Sequence, residues 1–413
     1  MAIPGSVFRR AVILAIPVGA TILFGVGRSR LGAKLAAWLP LDRSRWRRLL
    51  QWVKPSISSR ALLDLPSGIT ATDLRRWDLD VWRFSERELL KIVAGILRDA
   101  GVLAAFTIEL PTLAAFLSDV AAHYHPHNPY HNLAHAVTVM HASYVLMRGG
   151  HVPILPAEAP APAARFVGVK TGRGEASGEA LTEAEAAPDA EQGALSSLHR
   201  LALLLAALCH DVDHPGVSNA FLIRTASPLA IRYHGASVLE KHHADTTFRL
   251  LRRHSLLASL HAAEHDELHR VVGRAILGTD MAAHNQSIAE CATLTASGRA
   301  TDASELLSAI LHLADLSNAV LCWPLCHRWG MCVCDEFRQQ AARERAAGIP
   351  ETPHMAKLGT QREITELQVG FFDFVVTPLW SAAAGAFPAV RERMAQLDAN
   401  RNSWAAEGQA ATL

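Results

Sequence analysis

Histidine and aspartate side chains lie together at the end of an apolar run near the middle of the chain. Residues 198–208 are rich in Leu and Ala, and Cys209-His210-Asp211-Val212-Asp213-His214-Pro215-Gly216 follows at once. This pattern predicts a buried helix that ends near Pro215. Burying ionisable groups costs free energy, and a divalent cation bound by neutral imidazole and ionised carboxylate would offset that cost. A lone His-Asp pair leaves a second interpretation open, in which these side chains only form capping hydrogen bonds.

Two other segments carry side chains of the same kinds. His131 and His135 are four residues apart in Tyr130-His131-Asn132-Leu133-Ala134-His135, a spacing that predicts one face of a helix. Asp315 lies in a further apolar run, His312 to Asn318. Side chains from separate helices can form a metal site in the interior of a helical bundle. The candidate ligands are His135, His210, Asp211 and Asp315.

Five short blocks follow one another along the chain, and their order is more informative than any one of them. They are Tyr130-His131-Asn132-x-x-His135-Ala136, His210-Asp211-Val212-Asp213-His214-Pro215-Gly216-x-x-Asn219-x-Phe221-Leu222, Ser237-Val238-Leu239-Glu240-Lys241-His242-His243, Ala314-Asp315-Leu316-Ser317-Asn318 and Gln368-Val369-Gly370-Phe371-Phe372-Asp373-Phe374. In this order and spacing, residues 77–405 resemble the catalytic domain of class I 3′,5′-cyclic nucleotide phosphodiesterases. The resemblance implies an all-α fold, a compact multi-helix bundle of the HD-domain type with a binuclear metal site in its core.

The resemblance also implies an activity, the hydrolysis of cyclic AMP, cyclic GMP or both to 5′-monophosphates. The four candidate ligands would hold a first ion, and imidazole-rich coordination suits zinc. Asp211 would also bridge to a second ion that keeps mostly water, which suits magnesium or manganese. A hydroxide activated by both ions would then attack phosphorus in line with the bond to the ribose 3′ oxygen.

His131 is the candidate general acid, because it is not needed for metal binding and can face the leaving group. Glu336 stands where the family has an acid that orients this histidine, and a carboxylate there would favour the protonated imidazole. The alternative for His131 is a core histidine bonded only to backbone. The groups expected to orient ligands or to bind the waters of the second ion are His214, Asp213, Glu240, His242 and Asp280.

The last blocks are expected to bind the nucleotide. Gln368 carries both a donor and an acceptor, so its amide can pair with a purine edge in either orientation. Phe371, three residues further on, can stack on the purine, with Val333 as an apolar wall opposite. The alternative is that these apolar side chains belong only to the core. Tyr130 and Asn318 complete the candidate set, and the choice between cyclic AMP and cyclic GMP stays open, with a weak preference for cyclic AMP.

Some positions depart from the family pattern. None of them is a candidate metal ligand, so we expect hydrolysis to be retained while the shape of the nucleotide pocket changes. The departures are Thr138, Lys241, Gln340-Ala341-Ala342, Ala356 and two extra residues between Lys357 and Gln368.

Composition excludes some classes of protein. The 413 residues carry a formal charge of +1, which does not indicate nucleic-acid binding. All six cysteines lie beyond residue 208 without the spacing of a small secreted domain, so they are interpreted as reduced thiols. Helical patterns follow one another after residue 196, and strand-like alternation is scarce, which also favours an all-α fold.

The N-terminal region, residues 1–60, is basic, with eleven Lys or Arg against the single acid Asp42. Its apolar stretch, residues 11–27, would form a helix of about 25 Å, slightly shorter than the hydrocarbon core of a bilayer. The stretch is interpreted as a membrane anchor or a cleaved targeting segment, and residues 11–52 as a region of membrane association. The expected location is therefore the membrane, with the catalytic domain in the cytoplasm. A cytoplasmic or organelle-targeted protein is the alternative, and a homodimer is compatible with the sequence.

Residues 151–196 are dense in Ala, Pro, Glu and Gly and poor in large apolar side chains. Such a segment buries too little surface to offset the entropy of ordering it. We expect a disordered insertion within the catalytic domain.

Two other functions share part of this pattern. An HD-type phosphohydrolase acting on nucleoside polyphosphates would use the same His and Asp ligands, but it would not account for Gln368 and Phe371. A non-catalytic nucleotide-binding module would have no need of a general acid such as His131.

Overall fold

Helices make up the regular secondary structure of the described part of the chain. The computed structural model describes residues 59–149, 195–300 and 302–410. Within these ranges there is no β-strand, so the prediction of an all-α fold is confirmed. The described residues belong to one unit, Ser56–Leu413.

Eighteen α-helices follow one another in the described ranges. The first nine are α1 (Ala71–Leu74), α2 (Glu86–Asp99), α3 (Val102–Ala105), α4 (Leu110–His123), α5 (Leu133–Arg148), α6 (Ser197–Cys209), α7 (Asn219–Arg224), α8 (Pro228–Arg232) and α9 (Val238–Arg253). The next nine are α10 (Ala262–Leu277), α11 (His284–Ser297), α12 (Ala303–Asp315), α13 (Trp323–Ala346), α14 (Pro353–Ala356), α15 (Gln361–Phe371), α16 (Thr377–Ala383), α17 (Pro388–Arg391) and α18 (Met394–Ala410). Short 3₁₀ helices lie at Ser59–Ala61, Val81–Arg83, Met281–Ala283 and Ser317–Val320.

Helices α5, α6 and α12 form the centre of the bundle and pack against one another, and α10 packs on both α6 and α12. Every residue from Leu201 to Cys209 in α6 is at most 1% exposed. A helix that is apolar on all sides is stable only when it is surrounded by other elements. The central position of α6 therefore follows from its Leu- and Ala-rich sequence.

The interpretation of His131 and His135 as one helix face is wrong. Helix α5 begins at Leu133, and the side-chain oxygen of Asn132 accepts hydrogen bonds from the two N–H groups of residues 134 and 135. Asn132 has extended backbone angles, φ −136° and ψ −179°, so His131 lies before the helix. Asparagine is a strongly preferred N-cap residue, and here the cap decides where the helix starts. The rings of His131 and His135 still lie close, with centroids 5.9 Å apart.

The sequence pattern predicts one helix over residues 368–384 with Gly385 as its stop, and the structure differs. Helix α15 begins earlier, because Thr360 and Glu363 form a capping box at its start. A π-helical turn, Phe372–Val376, then separates α15 from α16. Pro378 has no N–H, and in a regular α-helix its ring would clash with the carbonyl four residues earlier. This proline accounts for the wider turn.

Sequence patterns missed helices α11 and α18, whose apolar periodicity is weak. Residues 11–27 and nearly all of the segment 151–196 lie outside the described residues. Among the described helices, none combines the length and apolar character that crossing a bilayer requires.

Asn400 of α18 is fully buried, and its Nδ2 donates to the carbonyls of Ala319 and Leu321 at 2.8 and 2.7 Å. These carbonyls lie in the segment that follows Asp315. We expect Asn400→Ala to lower the free energy of unfolding by about 1–3 kcal/mol, because two buried carbonyls lose their donor. Urea denaturation followed by circular dichroism measures this change. The exposed Asp398 of the same helix gives the control Asp398→Ala, which should unfold like the wild type; equal stability of the two variants would contradict the assignment.

Candidate active site

Four side chains from three helical segments converge at one end of the bundle. They are His135 in the first turn of α5, His210 and Asp211 just after α6, and Asp315 at the end of α12, and one donor atom of each lies within 4.8 Å of the others. His135 Nε2 lies 3.1 Å from Asp315 Oδ1 and 3.4 Å from Asp211 Oδ2. His210 Nε2 lies 3.0 Å from Asp211 Oδ2 and 3.3 Å from Asp315 Oδ1. The structure thus brings together the four residues predicted as ligands.

The arrangement of His210 fits a bound cation. Its Nδ1–H donates to the carbonyl of Ala207 at 2.9 Å, which directs the Nε2 lone pair to the two carboxylates. Nε2 is buried and has no well-aligned hydrogen bond within the described residues. A histidine ligand commonly has its other ring nitrogen fixed by a backbone carbonyl in this way.

The electrostatics of this cluster also favour a cation. Burial alone would lower the pKa of His210, but the Asp211 and Asp315 carboxylates outweigh it and raise that pKa well above its ordinary value. The pKa of Asp315 is lowered by the neighbouring imidazoles, although burial acts in the opposite direction. Helices α6 and α12 both end at the cluster, and helix C-termini carry partial negative charge. A divalent ion in place of a proton fits this donor set.

A second group of donor atoms shares Asp211 and includes His214 and His243, again within 4.8 Å of one another. His243 is buried, its Nδ1–H donates to the carbonyl of Val212 at 2.8 Å, and its Nε2 lies 3.7 Å from Asp211 Oδ1 without a hydrogen bond. His243 was not among the residues predicted from the sequence. Its position one turn after Glu240, in the block Ser237 to His243, was the available signal.

His214 and Glu240 lie beside this second group. His214 Nδ1 accepts a hydrogen bond from the Gly216 N–H at 3.0 Å, and burial lowers the pKa of His214 well below its ordinary value, so the ring is neutral. Burial raises the pKa of Glu240 to about 7, while two hydrogen bonds from Asn219 Nδ2 act in the opposite direction. The neutral His214 imidazole can bind an ion or one of its waters, whereas a readily protonated Glu240 suits a hydrogen bond to water.

His131 is held by Glu336 from two sides. The His131 Nδ1–H donates to Glu336 Oε1, and Glu336 Oε2 accepts the backbone N–H groups of Tyr130 and His131 at 3.0 and 3.1 Å. Burial alone would lower the pKa of His131, but Glu336 and Asp211 raise it to about 9. Burial acts to raise the pKa of Glu336, but His131 outweighs burial and lowers that pKa to about 2. The pair is therefore an imidazolium and a carboxylate at neutral pH.

Three other predicted residues, Asp213, His242 and Asp280, are not among the donor atoms of the two clusters. The Asp213 carboxylate lies between His125 Nε2 at 3.0 Å and His242 Nε2 at 2.9 Å. Asp280 accepts hydrogen bonds from the Ser237 hydroxyl and the Ala282 N–H at 2.7 and 2.9 Å. His125, in the loop before Tyr130, was not among the predicted residues, and no sequence pattern distinguishes it from its neighbour His127.

The predicted nucleotide residues lie on α13, α15 and the segments beside the metal ligands. The Tyr130 hydroxyl accepts from Asn318 Nδ2 at 2.9 Å, and the Tyr130 ring lies 4.5 Å from that of His135. Gln368 is buried, whereas Phe371 and Val333 are half-buried and pack on the edge of the core.

The Gln368 amide lies against α13. Its Nε2 donates to the Gly330 carbonyl at 3.2 Å and to Cys334 Sγ at 3.5 Å. A methyl group on Gly330 would lie 2.7 Å from Trp404 Cζ2 and 3.1 Å from Gln368 Oε1. Only glycine at position 330 leaves room for this contact.

Comparison with known proteins supports the same assignment. Residues 130–397 match the model of the 3′,5′-cyclic nucleotide phosphodiesterase family. The chain is 31% identical over 347 residues to mouse 3′,5′-cyclic-AMP phosphodiesterase 4C, covering 80% of this chain and 45% of that protein. It is 29% identical over 340 residues to the 3′,5′-cyclic-nucleotide phosphodiesterase regA of Dictyostelium discoideum, covering 81% of this chain and 38% of that protein. The chain thus spans less than half the length of these two relatives.

A solved structure agrees with the fold. The phosphodiesterase domain of the RhoPDE fusion protein from the choanoflagellate Salpingoeca rosetta superposes with a TM-score of 0.69 at 26% sequence identity. The match covers 86% of this chain and 99% of that domain. With the family match over residues 130–397, these findings identify the chain as a member of the 3′,5′-cyclic nucleotide phosphodiesterase family.

Proposed function

We propose that this chain hydrolyses 3′,5′-cyclic nucleotides to 5′-monophosphates. The observation that carries the proposal is the pairing of His131 with Glu336 next to the His135, His210, Asp211 and Asp315 cluster. A cation site beside a protonated imidazole offers both groups that cleavage of a phosphodiester needs, one for the attacking side and one for the leaving oxygen. A nucleotide-binding module could use the cation site but would have no need of the protonated imidazole.

The residues of the chain have separate roles in this mechanism. Divalent ions, when bound, would supply an activated water and neutralise charge on the phosphate. His131 gives the proton on Nε2 to the ribose 3′ oxygen as its bond to phosphorus breaks and a bond from the water oxygen forms. Glu336 occupies Nδ1, so Nε2 is the nitrogen left for this transfer.

The four side chains His135, His210, Asp211 and Asp315 would hold the first ion, and two imidazoles with two carboxylates suit zinc. Asp211 would also contribute to holding the second ion, for which magnesium or manganese is suited. His214 and Glu240 would bind waters of this ion, and the unpartnered His243 Nε2, 3.7 Å from Asp211 Oδ1, is available to the same site.

Gln368 and Phe371 bind the base. The Nε2 of Gln368 donates to Gly330 and Cys334, which leaves Oε1 as the free acceptor for a purine. The adenine amino group is a donor that matches this acceptor, whereas guanine presents the O6 acceptor at the corresponding position. Cyclic AMP is therefore the preferred substrate, in agreement with the name of the mouse relative.

The catalytic domain is residues 77–405, interrupted by the insertion 151–196, and no candidate site residue lies in the segments 1–60 or 151–196. The basic, partly apolar residues 11–52 attach the catalytic domain to membranes. The support is the composition of residues 1–60, which carry eleven basic side chains and one acidic side chain.

Turnover of cyclic AMP and cyclic GMP by the full chain, with zinc and magnesium supplied, tests the proposed function. We expect 5′-monophosphate as product, a higher kcat/KM for cyclic AMP, and loss of roughly 10²–10⁴-fold in kcat for His131→Ala, as for removal of a general acid. His254→Ala, which removes a histidine bonded to Asp119, is the matched control and should retain activity. A folded, metal-loaded protein that binds cyclic nucleotides without hydrolysing either would instead be a binding module.

The pH dependence of kcat tests the role of Glu336. His131 must be protonated to act, so activity should be lost as pH rises through its pKa of about 9. Glu336→Gln removes the charge that raises this pKa, so the alkaline limb should move to lower pH by about 1–2 units. The control Glu366→Gln removes an exposed carboxylate paired with Arg362 and should leave the profile unchanged. An unshifted limb in Glu336→Gln would be inconsistent with this role.

Metal content tests the predicted ligands. We expect His210→Ala and Asp315→Asn to bind zinc at least roughly tenfold more weakly, because each removes a donor from a preformed set. Plasma mass spectrometry after dialysis against defined free zinc measures the bound ion. Asp245→Asn, which removes a half-exposed carboxylate bonded to Tyr233, should keep the wild-type stoichiometry. Unchanged zinc binding in both ligand variants would refute the assignment.

A further inference from the structure

Asn128 connects the two segments that carry His131 and His214. Its side chain is buried, and its Nδ2 donates one hydrogen bond to the His131 carbonyl at 3.0 Å and another to the His214 carbonyl at 2.8 Å. Both protons of the amide are therefore used. The residue lies outside every motif of the sequence, in the loop before Tyr130.

Asn128 also lies close to Gly216 and bonds to the N-cap of α5. A methyl group on Gly216 would lie 2.6 Å from Asn128 Oδ1, and Gly216 has a φ of +69°, which disfavours any other residue there. The backbone carbonyl of Asn128 accepts from Asn132 Nδ2 at 3.0 Å, and Asn132 is the N-cap of α5. Asn128 thus joins the loop after α6 to the start of the helix that carries His135.

As a consequence, both the backbone N–H and the backbone carbonyl of His131 are held by hydrogen bonds. Glu336 accepts its backbone N–H, and Asn128 donates to its carbonyl. The His131 ring stacks on the His214 ring with centroids 3.9 Å apart and an angle of 19° between the planes. Because Asn128 bonds the carbonyls of both histidines, it sets the separation of the two backbones from which these rings extend.

We propose that Asn128 is a positioning residue for proton transfer, acting through His131 and His214 without touching the substrate. This inference depends on the proposed function. Asn128 is only 2% exposed, so a nucleotide cannot reach its side chain. Misplacing a catalytic group by a fraction of an ångström lowers the rate of the step that needs it and leaves substrate binding largely intact.

The test compares two leaving groups with Asn128→Ala in the full, metal-loaded chain. Cyclic AMP releases a basic 3′ alkoxide that needs a proton, whereas bis(p-nitrophenyl) phosphate releases a weakly basic phenolate that does not. We expect kcat for cyclic AMP to fall roughly tenfold to a hundredfold with little change in KM, and turnover of the aryl ester to fall much less. Asn128→Leu, which keeps the approximate side-chain volume but has neither a donor nor a charge, should show the same selectivity.

A double-mutant cycle completes the test. If Asn128 acts through His131, adding Asn128→Ala to His131→Ala should cause little further loss of cyclic AMP turnover. An equal loss on both substrates, an undiminished rate in both variants, or full additivity with His131→Ala would overturn the inference. If the wild type hydrolyses neither cyclic nucleotide, the proposed function itself fails, and that result is distinguishable from the other three.

Discussion

The interior of this bundle contains two carboxylates and two imidazoles whose donor atoms lie within 4.8 Å of one another, and a bound cation would offset the cost of burying them. Paired with one another alone, these groups would have to share protons in a buried site. A divalent ion satisfies all four at once, so much of the surrounding structure can be understood as support for this ion site. Helices α6 and α12 end there, and their carboxyl ends favour positive charge. The buried apolar surfaces of α5, α6 and α12 bring the ligands together from distant parts of the sequence.

A second set of contacts fixes the orientation of side chains that the packing of the helices alone would leave free to rotate. The Ala207 carbonyl orients His210, the Val212 carbonyl orients His243, and Glu336 orients His131 while also binding two backbone N–H groups. The acidic Glu336 and the neutral His214 lie on either side of His131, and the first keeps it protonated whereas the second stacks on it. In the proposed mechanism, proton donation by His131 therefore depends on this arrangement, because an isolated histidine would be largely neutral at neutral pH.

The fold class and the four candidate ligands could be predicted because they depend on local patterns: apolar runs of helical length, and His or Asp at their ends. The proximity of Glu336 to His131, 205 residues apart, followed only from the family resemblance. The prediction that His131 lies on the same helix as His135 was wrong, because Asn132 caps the helix and starts it after His131. Asn128 and His125 could not be found from sequence, since their roles depend on which loops meet in space. The π-helical turn escaped prediction because a proline six residues beyond its first residue sets it, not the apolar pattern.

The most direct test of the metal centre is anomalous X-ray diffraction from crystals grown with zinc and manganese, recorded at both absorption edges. The account predicts a zinc peak about 2.0–2.2 Å from one donor atom each of His135, His210, Asp211 and Asp315. It also predicts a second peak that shares Asp211 on the side of His214 and His243. Two results would contradict this prediction. One is the absence of a peak between the four side chains at saturating zinc, and the other is a zinc peak only elsewhere in the bundle.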